Sequence, residues 1–221
     1  MDDGRRFKEL WKELVYARCL AAILAVVPVW FGYSGLTTLY LHIMSTRELV
    51  GLRAQGVIFM SVGVALPIHF VRKGWRVYLV AVASAMAALL FSMGVCYLLP
   101  EAEKGALAAP LLTMATVGAA LGTVEGLSER SVATLWAGLL GGAAAGTLSV
   151  GVHLLFFLPY EAFAEEGPTW VLIIILVLNM WASVVTLHLG IGLSLALGRY
   201  IRDLPKRPAA HPDSDAAPPG A

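Results

Sequence analysis

Charge is what this chain has least of. Lys, Arg, Asp and Glu make up 14% of its 221 residues, against about 25% in an average soluble domain. The net charge is +1, so there is no basic field to hold a polyanion, and nucleic acid is not expected as a partner. Cysteine is nearly absent. Cys19 and Cys96 are the only two, and the topology below puts them at opposite membrane faces, which excludes a disulfide between them and any CxxC redox or zinc site. Phosphate-binding GxxxxGK[ST] and zinc-protease HExxH patterns are missing. No cleavable signal peptide is expected, because the first apolar window is too long for one and lacks a clear small-residue cleavage site.

Hydrophobic residues make up 58% of the chain. Charges fall in clusters that leave six windows free of them: 19–46, 54–71, 77–100, 105–124, 131–160 and 167–198. A bilayer core needs roughly 20 helical residues, and every window is near or above that length. Backbone groups in lipid must bond internally, so each window reads as a helix. The expected fold is all-α: a polytopic, six-transmembrane-helix bundle with spans near 19–43, 53–71, 77–99, 105–125, 132–158 and 169–197. No charged side chain lies inside a window, which argues against ion- or proton-coupled transport.

Basic residues orient the bundle. With the N-terminus inside, 13 of the 16 Lys and Arg residues are cytoplasmic, and only Arg47, Arg53 and Lys104 lie outside. Both termini are then cytoplasmic, and the expected location is a bacterial inner membrane. Before span 1, Phe7, Leu10, Trp11, Leu14 and Val15 share one face of a helix, and Lys8, Glu9, Lys12 and Glu13 fill the other. Residues 1–18 therefore read as an interfacial amphipathic helix, 19–202 as the transmembrane domain, and 203–221, rich in Pro and Ala, as a disordered tail.

Inside the windows the strongest pattern is glycine spacing. Gly118, Gly122 and Gly126 recur every four residues, and so do Gly138, Gly142 and Gly146. Residues four apart share a face, so each helix presents a groove that lets another backbone approach closely. The stretch 118–146 resembles a glycine-zipper hairpin found in bacterial multi-pass membrane proteins of unassigned function. The resemblance implies architecture and brings no active site. Gly190, Ser194 and Gly198 repeat the theme in span 6. Asn179, the only asparagine, heads a polar stripe with Ser183 and Thr186. It reads either as interhelical hydrogen bonding or as the wall of a solute site.

Two patterns carry catalytic or redox residues. Gly32-Tyr33-Ser34-Gly35 and His188-Leu189-Gly190 resemble the motifs of rhomboid intramembrane proteases, but the two helices are too far apart in chain order for that family. Small residues at a helix contact are the simpler reading. His42 and His153 on the outer side, with His69 and His188 on the inner, have the depths that two bis-imidazole haems would need, yet no cofactor and no metal are expected. The leading expectation is a non-catalytic membrane subunit that packs with a membrane-protein partner or a second copy through small-residue faces. The alternative is a carrier or capture component for a small neutral or apolar solute. In size and span number the chain is similar to the substrate-binding subunits of vitamin transporters, whose docking helix the Ala21-x-x-x-Ala25 pair would match.

Overall fold

The computed structural model describes residues 18–41, 46–72, 74–98, 108–164 and 168–203. The interfacial helix expected over 1–18, apart from Arg18, and the tail expected over 203–221, apart from Asp203, lie outside them. The described residues form six helices and no strand: α1 (Arg18–Leu41), α2 (Thr46–Arg72), α3 (Trp75–Leu98), α4 (Ala108–Ser128), α5 (Val132–Ala164) and α6 (Thr169–Asp203). Five of them, α2 to α6, are long and apolar enough to cross a membrane, and the apolar stretch described in α1, Arg18–Gly32, is shorter. The helices follow the charge-free windows closely, and the differences fall at their ends. Helix α2 starts at Thr46, ahead of Arg47 and Arg53, and α6 runs on to Asp203.

Chain neighbours pack as antiparallel neighbours, and α1 closes the ring against α6. The beginning of α1, the ends of α2, α4 and α6, and the beginnings of α3 and α5 therefore share one end of the bundle. The starts of α4 and α6 and the end of α5 mark the other. The two ends are packed differently. Val117, Gly118, Leu121, Gly122, Val124, Glu125 and Gly126 are all buried in the second half of α4, whereas nothing from 108 to 116 is. Residues 151–155 of α5 and 170–178 of α6, at that same end, also contain none, so α4, α5 and α6 are loosely covered there, although Ser92 and Cys96 of α3 are buried. Cys19 and Cys96 sit at opposite ends and are free.

The glycine triplets face one another. A Cβ on Gly118 would collide with the carbonyl of Gly142, one on Gly122 with that of Gly138, and one on Gly126 would lie 2.5 Å from Thr134 O. The second stripe packs on α5 as well: a Cβ on Gly190 would strike Ala145, one on Gly198 would strike Ala137, and Ser194 sits over Gly141. Without side chains between them the backbones close to direct contact, where dispersion replaces the hydrophobic drive that lipid cannot supply. At the other side of the ring Gly32 rests on Gly56 and Met60 of α2, and Gly63 rests on Ala25 and Val29 of α1.

Candidate functional site

The polar chemistry gathers at the tightly packed end, largely on residues that lie outside the charge-free windows. The fourth charge-free window ends at 124, just short of Glu125, and Arg18 falls before the first one. Helix α4 continues through Glu125 to Ser128, and the reversal needs only Glu129, Arg130 and Ser131. Glu125 is 0% exposed and Arg18 is 1%. Charged side chains thus lie within the bundle, and the argument against coupled transport from their absence does not hold for this fold.

Arg18 and Glu125 form a two-point pair. Arg18 Nη2 donates to Glu125 Oε2 at 2.7 Å and Nη1 to Oε1 at 3.0 Å. Nη1 also donates to the backbone oxygen of His188 at 3.1 Å, tying α1 to α6. Glu125 is misplaced for its own helix: an anion in a last turn opposes the macrodipole, so what holds it there is the pairing with Arg18 across the ring. Bidentate geometry is what such a pair requires to offset its desolvation.

Glu129 forms the lower rung. Arg72 Nη2 donates to its Oε1 at 2.6 Å, and Arg199 Nε donates to Oε2 at 2.9 Å. Burial alone would push the Glu129 carboxyl up, but hydrogen bonds from Arg199 and Arg72 and their charges hold it below the usual carboxylate range. Arg72 also donates to the backbone oxygen of Glu125 at 3.5 Å, and its Nε lies 3.7 Å from that residue's carboxylate. The turn closes on the end of α4, with Glu129 N donating to Gly126 O and Arg130 N to Leu127 O. Arg130 has φ 52°, a left-handed conformation that a non-glycine residue adopts at a cost.

The upper rung is His188, which is fully buried. Its Nε2 meets Val64 O at 2.7 Å. A carbonyl can only accept, so Nε2 donates, and in the neutral ring Nδ1 is a bare acceptor with no partner. Pro67 has no N–H, so the carbonyl that loses its helical donor is that of Gly63, and the next carbonyl, Val64 O, takes the bond from His188 on its second lone pair. From Val64 to Arg72 the ladder runs eight residues along α2, about 12 Å deep.

The residues singled out from sequence are dispersed around this ladder. Asn179 is buried in the upper part of α6, its side chain interacts with His153 of α5, and its Oδ1 accepts no hydrogen bond. Ser183 and Thr186 donate to carbonyls of their own helix, at Asn179 and Ala182. His188 is held by α2, His153 is beside Asn179, and His69 lies between Phe70 and Tyr78. His42 and the side chain of Ser34 are outside the described residues. Ala21 and Ala25 are buried within the bundle, so that pair does not present the outward docking face that the vitamin-transporter likeness would require. No group of three or more His, Cys, Asp or Glu residues is arranged to hold a metal among the described residues.

Two signals for the ladder were in the sequence. If Gly126 belongs to the same helical face as Gly122, the helix must pass through Glu125. The apolar face of the N-terminal pattern, continued from Leu14 and Val15, falls on Arg18. Comparison with family models, curated proteins and solved structures finds no match.

Proposed function

We propose that this chain is a non-catalytic, six-span membrane protein with both termini cytoplasmic, and that it captures or carries a small neutral solute entering from the outer side. The observation that carries this reading is the buried Arg18–Glu125 pair beside His188 at the tightly packed end. Ionisable groups shut away from water inside a membrane bundle are costly and mark solute and ion pathways by default. In this topology the ladder end is the cytoplasmic end, consistent with Arg72, Arg76, Arg130, Arg199 and Arg202 gathered there. The loosely covered end is then the outer one, and Asn179 stands at the depth where full burial begins.

Native mass spectrometry of protein purified in gentle detergent tests the reading. A retained small mass is expected on the parent and should be lost from Asn179→Leu. A parent that carries no such mass, or a variant that keeps it, would overturn the proposal. A second reading, docking to a membrane partner or a second copy, is favoured by two exposed glycines. Gly94 on α3 and Gly151 on α5 have nothing within 4 Å of an added Cβ, so a second helix meets no side chain there. The same spectra would reveal it as a retained protein subunit that Gly151→Leu releases.

A further inference from the structure

The close glycine contacts divide the ring into two halves. Gly32 and Gly63 bind α1 to α2. The contacts at Gly118, Gly122, Gly126, Gly141, Gly190 and Gly198 bind α4, α5 and α6 to one another. Among the described residues, none of these backbone-level contacts crosses from one half to the other, and α3 lies between them, packed on α2 and α4. Ordinary apolar side chains fill the space between the halves. The polar ladder does cross it. Arg18 of α1 reaches Glu125 of α4 and the backbone of α6. Arg72 of α2 reaches Glu129, and His188 of α6 reaches Val64 of α2. All of these bonds lie toward the tightly packed end.

We infer that the ladder is a reversible latch joining two glycine-packed halves, and that the halves rock about the bundle interior when it opens. Contacts between glycine backbones have no rotamers to exchange, so each half moves as a unit. Charged hydrogen bonds can be exchanged for water once the end parts, whereas lost apolar packing cannot be replaced in that way. A bundle clamped at one end and loosely covered at the other is the arrangement from which one half rocks against its neighbour around a central site. The inference deepens the carrier reading and rests on it for its purpose, but its geometry is independent of any solute.

Pulsed dipolar spectroscopy on the full chain tests it, in a Cys19→Ala, Cys96→Ala background that melts like the parent. Three pairs of exposed positions take spin labels. Leu20 with Leu127 spans the latch end, and Phe31 with Leu155 spans the halves nearer the other end. Leu127 with Leu193 lies within the α4–α6 half. Arg72→Met removes the crossing contacts of Arg72 to Glu129 and Glu125 and leaves Arg18–Glu125 and Arg199–Glu129 in place, while Glu125→Gln weakens the Arg18 pair. Either variant should add a population in which the latch-end pair is longer by about one helical turn, about 5 Å. The Phe31–Leu155 pair should shorten, and the Leu127–Leu193 pair should not change. If Glu125→Gln does not fold, Arg72→Met decides. An unchanged latch-end distance in a folded variant would make the ladder a static brace and overturn the inference, as would a matching shift within the α4–α6 half. The spectra need no added solute. Opening in a protein that retains no small mass would therefore refute the carrier reading and leave the latch standing.

Discussion

Removing the Glu125 carboxylate should be among the most damaging single changes in this protein. Arg18 is 1% exposed, and Glu125 supplies both of its charged hydrogen bonds. Glu125→Gln keeps the shape but leaves a guanidinium buried without its counter-charge. Breaking one partner of a buried pair typically costs about 3–5 kcal/mol. For a chain of this size each kcal/mol lowers the melting temperature by roughly 2–4 °C, so the expected loss is roughly 6–20 °C. Arg72 adds to it, since its Nε is 3.7 Å from the same carboxylate and a second cation loses that partner. The decisive comparison is the double replacement Arg18→Met with Glu125→Leu. It removes both charges and keeps apolar bulk, and such exchanges are often neutral or stabilising. The double variant should therefore melt well above either single one, with a coupling of about 2 kcal/mol or more. Thermal unfolding in detergent, followed by intrinsic tryptophan fluorescence, measures all four proteins. If Glu125→Gln melts within about 2 °C of the parent, or the double variant is as unstable as the singles combined, the pair is not buried and coupled as described.

Glu129 gives a pH dependence of known sign. Its folded carboxyl titrates below its unfolded value of about 4.3, so its stabilisation is complete above that value and is lost as the pH falls through the folded one. The melting gap between parent and Glu129→Gln should be constant from about pH 5.5 to 8 and shrink below about pH 4; a gap that widens in acid would contradict the assignment. Gly122→Leu and Gly142→Leu place side chains against backbone carbonyls that cannot turn aside. Each should lose at least the roughly 1–3 kcal/mol of ordinary overpacking, while Gly151→Leu, which meets nothing within 4 Å, should melt like the parent in monomeric form. Arg130→Gly should match or exceed the parent's stability, because glycine adopts φ 52° without strain. Arg130→Val should fall below the parent, since a β-branched residue suits that conformation least.

The helical class and the face-to-face glycines were legible because each follows from a local rule. Lipid demands that every backbone group bond within its own segment, so a charge-free window of about 20 residues becomes a helix whatever lies around it. A four-residue repeat of glycine defines a groove before its partner is known. The ladder was not legible in the same way. Arg18 and Glu125 are 107 positions apart, and each stands at the edge of an apolar window, where a charge ordinarily faces water. Only the closing of α1 onto α6, with α4 across the ring, brings the two within 2.7 Å and shuts water out. A hydropathy window scores a charge as a boundary. Tertiary structure decides whether that boundary residue meets solvent or a counter-ion, because burying it is affordable only where a partner from another helix arrives in the right geometry.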